Sequence, residues 1–188
     1  MNLTRIYTDG SCIVKKKSGG WCFLANQCTG RRSSQAFGMC TKLLTKESGW
    51  LKGTNNEAEL QAFINSLEWV IRSSSRECIL EFYIDSSYVL KHLYSFTLLR
   101  TENLKLLGMI DDEKQLGLTG IIGQGRTPNH YEELWSKVTH LLRDVAKRHT
   151  MYIWWLRGHL PNTHTHARYH NEVDKEARYQ ASTHQNKN

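Results

Sequence analysis

Strand-like segments come first in this chain and helical ones later, and the order in which the two periods alternate most restricts its fold. Leu3 to Thr8, Trp21 to Asn26 and Ser33 to Cys40 read as a meander of strands, parted by stretches containing Gly19-Gly20 and Thr29-Gly30. At Thr54-Asn55-Asn56-Glu57 the pattern becomes a capping box, and Leu60, Phe63, Ile64, Leu67, Val70 and Ile71 follow at helical spacing. Ile79 to Ile84 is a short apolar strand that ends in Asp85, where Ser86-Ser87 opens a second helix. Between Tyr94 and Thr127 the pattern is thinner: Asn103 to Ile110 reads as helical, with an acidic Asp111-Asp112-Glu113 and a glycine-rich Gly117 to Gly125 after it. Past Pro128 an amphipathic helix carries Leu134, Val138, Leu141, Leu142 and Val145, Met151 to Leu156 is the fifth strand, and a last helix starts near Asn171. This order implies an α/β fold with a central mixed five-stranded sheet, three antiparallel strands and then parallel ones, flanked by helices.

A chain of 188 residues, 39% hydrophobic, can build one core and has no room for a second domain. A single domain over 1–181 is expected, with 182–188 as a polar, disordered tail. No apolar run approaches the roughly 18 residues of a membrane span, and Met1 to Tyr7 lacks the layout of a signal peptide. Twenty-five Lys and Arg against 18 Asp and Glu, a net +7, favour an anionic partner such as nucleic acid. The five cysteines are odd in number and form no CxxC pair, so they read as reduced thiols of a cytoplasmic or other reducing compartment.

Four acids fall where acids are poor structural choices. Asp9 follows the first strand, Glu59 lies one turn into the first helix, Asp85 ends a buried strand and Asp174 sits early in the last helix. Each has an ordinary alternative: a turn for Asp9, a helix cap for Asp85, a solvated face for Glu59. Together they form a cluster that repels itself unless a cation neutralises it, and its hard oxygens suit Mg²⁺ or Mn²⁺. Glu57 is the better capping residue and is left out of the site.

The motifs Tyr7-Thr8-Asp9-Gly10-Ser11 with Gly19-Gly20-Trp21, Thr54 to Leu60, Tyr83 to Val89, Arg157-Gly158-His159 and Asn171 to Asp174 resemble, in order, those of type 1 ribonucleases H. The resemblance covers about residues 5 to 180. It implies the ribonuclease H-like fold and a metal-dependent endoribonuclease that hydrolyses the RNA strand of RNA/DNA hybrids, leaving 5′-phosphate and 3′-hydroxyl ends. It further implies two Mg²⁺ ions, with Mn²⁺ as a substitute. Asp9 would bridge them, Asp174 would help hold the ion that activates water, and Glu59 with Asp85 would hold the other. His159 resembles the family's histidine that assists proton transfer or product release. Gly10, Ser11, Asn55 and Asn56 would face the substrate, and Thr54 a DNA phosphate. No membrane and no obligate protein partner are implied, and a monomer is the default.

Several segments depart from the family. Val14-Lys15-Lys16-Lys17-Ser18 replaces its Asn-Pro-Gly, so Lys15 and Lys16, with Lys17, are expected to touch phosphates instead. Thr41 to Gly53 reads as a long loop with Lys42, Lys46, Trp50 and Lys52 towards the substrate. Arg100, Lys105 and Arg126 replace a denser basic protrusion only thinly. Leu160 to His170 reads as a long mobile loop whose His164, His166 and His170, without cysteine, are not expected to form a transition-metal site. Other readings are a junction resolvase or transposase-like nuclease on the same fold, the hydrolytic domain of a reverse transcriptase, and a hybrid-binding module without catalysis. The Thr54 to Leu60 motif disfavours the first, and the full set of carboxylates the last. Whether double-stranded RNA is also cut stays open.

Overall fold

The structure, a computed structural model, describes residues 2–28, 40–73, 76–95, 104–111, 114–116, 131–158, 161 and 165–184, and of 94–95, 104–111, 114–116 and 165 the backbone alone. Strands β1 (Asn2–Ile13), β2 (Ser18–Cys28) and β3 (Cys40–Lys52) precede helix α1 (Asn55–Ser73), and β4 (Cys78–Ile84) precedes α2 (Ser87–Ser95). Then come β5 (Leu104–Asp111), β6 (Lys114–Leu116), α3 (Glu132–Ala146), β7 (Thr150–Leu156) and α4 (Thr165–Thr183).

The sheet runs β3-β2-β1-β4-β7-β5-β6. β1, β2 and β3 pair antiparallel, whereas β4 lies parallel to β1 and β7 parallel to β4. These five strands form a mixed sheet of the kind the pattern implies, with Cys40–Lys52 as its third strand. β5 then adds in parallel to the outer edge of β7, and β6 folds back antiparallel on β5, widening the sheet to seven strands among the described residues.

Side chains alternate across the sheet. Ile6, Phe23, Leu80, Phe82, Ile84 and Ile153 point to one face and pack under α1 and α3 with Phe63, Leu67, Trp135 and Leu142. Tyr7, Cys22, Leu24 and Tyr83 point to the other and pack under α4 with Ala167, Val173 and Ala177. Two glycines let helices close directly on strands: a Cβ on Gly10 would overlap the backbone of Ala58 and Glu59, and one on Gly20 would overlap Ala177 and Ala181 of α4. The first contact matters most, because it brings Glu59 to the end of β1.

Several expectations need correction. Thr41 to Gly53 is no loop: β3 fills it through Lys52, and the expected strand at 33–40 lies outside the described residues except for Cys40. β3 is a largely exposed edge strand, so it shows no period of two to read. The helix expected over Asn103 to Ile110 is not found in its described part: Leu104–Asp111 is a strand that pairs with the open edge of β7, and tertiary pairing overrides so weak a local pattern. α4 starts at Thr165 rather than near Asn171, which places His166, Ala167 and His170 in its first turns. The signal was hidden because two of those buried side chains are histidines. The helix also takes in Ser182 and Thr183 of the expected tail.

Candidate active site

Asp9 lies inside β1, opposite Cys22 of β2, and two residues beyond Tyr7 it shares the face covered by α4. Its Oδ1 accepts a 2.7 Å bond from the Gly10 N–H, which also donates to Glu59 Oε2 at 3.0 Å. One amide therefore ties the two buried carboxylates together. Glu59 is held there by a well-formed helix start, since the Thr54 N–H donates to Glu57 Oε2 and the Glu57 N–H to Thr54 Oγ1, both halves of a capping box. Glu57 is occupied by that task, as the sequence implied.

Asp85 follows β4 directly, and its backbone carbonyl accepts from Trp155 Nε1 at 3.0 Å. The cap of α2 falls to Ser86, whose Oγ accepts the Val89 N–H, so the Asp85 carboxylate is left for other work. Its Oδ1 is buried without a hydrogen-bond partner among the described residues. Asp174 comes from α4 and accepts a 2.8 Å bond from Arg178 Nε one turn on. All four carboxylates line one depression, with Gly10, Ser11 and Asn55 along its wall.

Burial lifts the Asp9 carboxyl well above its usual range, and the charge of Asp85 raises it further. Glu59 is raised for the same reasons, by burial and then by Asp9 and Asp85. Such a group favours a bound proton or cation over the bare charge. Two buried carboxylates raised by burial and by neighbouring acids, an orphaned carboxylate oxygen and a donor set of hard oxygens fit a divalent metal site.

Not every expected residue joins this group. Asn56 and Thr54 are not on the wall, and the Thr54 hydroxyl is bonded to Tyr131 Oη at 2.8 Å. Lys15 and Lys16 are exposed in a short 3₁₀ turn, Val14–Lys16, between β1 and β2. His159, Arg100 and Arg126 lie outside the described residues, and Lys105 is described by its backbone alone. Gly158, the residue before His159, sits against Asp85, where a Cβ would come 3.2 Å from Oδ2.

Of the wall residues not assigned to the site from sequence, Asn171 stands only in the last motif, His170 is one of the three histidines of the expected loop, and Arg178 lies in no motif. His170 and Arg178 lie four residues from Asp174, on either side of it, so the helical repeat through Asp174 was the signal that could have found them. His170 is buried, 3.6 Å from Asp85 Oδ1. Burial alone would lower its pKa, but Asp85, Asp9 and Asp174 around it prevail and hold it above the usual histidine value.

Residues 1–182 match the sequence pattern of the family described as RNase H. The chain belongs to the RNase H family. Its relatives include the ribonuclease H of Acidovorax sp. (strain JS42), 29% identical over 159 residues that cover 85% of this chain and 84% of that one. The ribonuclease H of Prosthecochloris aestuarii is 29% identical over 174 residues, covering 92% and 91%. Among solved structures, the N-terminal RNase H domain of rv2228c from Mycobacterium tuberculosis superimposes with a TM-score of 0.55 at 12% identity, covering 96% of this chain and 94% of that one. The foamy viral protease-reverse transcriptase in complex with an RNA/DNA hybrid gives 0.59 at 19%, covering 96% of this chain and 20% of that one. At such identities the structural matches speak for the RNase H-like fold, while the family assignment makes the protein a ribonuclease H.

Proposed function

We propose that the protein is an endoribonuclease that hydrolyses the RNA strand of RNA/DNA hybrids with two divalent metal ions, leaving 5′-phosphate and 3′-hydroxyl ends. The observation that carries this reading is the convergence of Asp9, Glu59, Asp85 and Asp174, from four separate elements, on one depression. The relatives named ribonuclease H support the substrate class.

The four carboxylates would hold the ions, Mg²⁺ with Mn²⁺ as a substitute. Bound there, the pair supplies positive charge at the attacking and leaving oxygens of an in-line displacement. The chain's own part is positional. The Gly10 N–H fixes Asp9 and Glu59 in one orientation, and the Ser86 cap keeps Asp85 free to face them. Gly10, Ser11 and Asn55 line the wall that a scissile strand would meet, with Asn56 beside them in the chain. Thr54 stands at the helix start, where a DNA phosphate would lie. Lys15 and Lys16, exposed beyond β1, extend that surface with positive charge for hybrid phosphates. His159 follows Gly158, which touches Asp85, and is proposed to move the proton or release product there. Selection of the hybrid rests on A-form shape and the 2′-hydroxyl rather than base sequence. The working unit is proposed to be one RNase H domain over 1–181, acting as a monomer in a reducing intracellular compartment without an obligate protein partner. No described helix is long and apolar enough to cross a membrane.

The test is cleavage of a labelled RNA/DNA hybrid beside RNA/RNA and single-stranded RNA, in Mg²⁺ and then in EDTA, for the wild type and Asp85→Asn. Hybrid-specific cutting that EDTA and the substitution both abolish, with 5′-phosphate ends on the products, is expected. Tight hybrid binding without cutting would overturn the catalytic reading.

A further inference from the structure

The roles proposed for the four carboxylates leave one buried donor beside them without a task. His170 is 3% exposed, and among the described residues its Nε2 has no hydrogen-bond partner. It stands 3.6 Å from Asp85 Oδ1, an atom equally without a hydrogen bond, and that separation is too long for a sound one. Two orphaned polar atoms facing one another in a buried site call for something between them.

The surrounding structure holds the ring in place. His166, one turn earlier on α4, is bonded through Nδ1 to the Tyr7 hydroxyl at 2.9 Å, and its ring stacks on Tyr83 with centroids 4.2 Å apart. Those contacts seat the first turns of α4 on the sheet. His170 then projects from the same helix face as Asp174, four residues on. One ligand atom from each of Asp9, Asp85 and His170 lies within 4.8 Å of the others. Around a cation with bonds near 2.1 Å neighbouring donors stand about 3.0 Å apart and opposite ones about 4.2 Å, so an inward shift of the side chains brings all three onto one ion.

We propose that His170 Nε2, with Asp9 and Asp85, is a direct ligand of a divalent cation, and that this nitrogen biases the site towards Mn²⁺ over Mg²⁺. The inference rests on the metal-dependent reading of the site and adds a ligand to it. Mg²⁺ prefers an all-oxygen shell, whereas an imidazole nitrogen suits first-row transition ions. The ligand form is the neutral ring with its proton on Nδ1.

Pulsed electron paramagnetic resonance of the full chain loaded with Mn²⁺ tests this without relying on activity. The expected result is ¹⁴N modulation of the Mn²⁺ signal, altered by ¹⁵N-histidine labelling of the wild type and lost in His170→Gln. Calorimetry on the same variant is expected to show Mn²⁺ binding weakened by roughly 10- to 100-fold, at least what losing a ligand's outer partner costs, with a smaller change for Mg²⁺. Because the labelled wild type needs no substitution, a misfolded variant does not blunt the test. Mn²⁺ bound without nitrogen coupling, or nitrogen coupling that persists in a folded His170→Gln, overturns the inference. Asp9→Asn separates the two readings. If it abolishes Mn²⁺ binding while the wild type shows no nitrogen coupling, only the role of His170 falls; if the wild type binds no Mn²⁺, or Asp9→Asn binds as well as the wild type, the metal reading falls with it.

Discussion

Replacing Glu81 by glutamine should destabilise the protein far more than the loss of one surface charge would. Glu81 and Arg5 are register partners on β4 and β1, each 5% exposed, with Arg5 Nε donating to Glu81 Oε2 at 3.0 Å. The Tyr83 hydroxyl donates to the same oxygen at 3.0 Å. Two charges removed from water this thoroughly roughly offset their own attraction, but removing one leaves the other buried and uncompensated, which costs about 3–5 kcal/mol. Glutamine keeps an acceptor for Arg5, so about 3 kcal/mol, the low end of that range, is expected. With a urea slope of about 2 kcal/mol/M the unfolding midpoint falls by about 1.5 M. The double variant Arg5→Met/Glu81→Leu removes both charges at once and should return to within about 1 kcal/mol of the wild type. Urea titration followed by circular dichroism reads both. The reasoning is refuted if Glu81→Gln costs under about 1 kcal/mol, or if the double variant is no more stable than the single one.

Two further predictions concern the acids of the candidate site and a thiol pair. Asp9 and Glu59 have raised folded pKa values, so the native state keeps protons that the unfolded chain releases above about pH 4. Without metal these groups therefore lose stabilising effect as pH rises from about 4 through the raised values, and the raised His170 adds a loss of the same sign as it deprotonates. Thermal unfolding in EDTA should show a pH-dependent decline that Asp9→Asn flattens; a wild-type slope unchanged by Asp9→Asn would contradict it. Separately, Cys28 and Cys40 face each other across β2 and β3 with sulfurs 2.7 Å apart, and contact with Cys28 brings the Cys40 thiol down to about 7. Glutathione disulfide should oxidise the pair to a disulfide, seen as the loss of two hydrogen masses in a peptide joining both residues. Closing so short a loop should stabilise by about 2–3 kcal/mol, and no cross-link after prolonged oxidation would count against the pairing.

The part of the site legible in the sequence was the part encoded locally. Each carboxylate lay in a motif that resembles the family's, and local patterns such as the capping box at Thr54 placed the elements that carry them. Among the elements, β1, β2, α1, β4 and β7 carried clear periods because each buries an apolar face. What stayed hidden depended on partners distant in the chain. β3 and β5 are strands because neighbouring edges offer them hydrogen bonds, not because their residues alternate. His166 and His170 look like loop residues until Tyr7 and Asp85 are placed beside them.

The way α4 is laid across β1 and β2 also sets when the four acids come together. Contacts such as Tyr7 with His166 and Ser18 with Ala181 join residues 159 and 163 positions apart, so their loops close late and slowly in folding. Ribosomes deliver α4 after every strand of the sheet. A nascent chain can thus display Asp9, Glu59 and Asp85 long before Asp174 arrives, and the docking of a single helix completes the set of four acids.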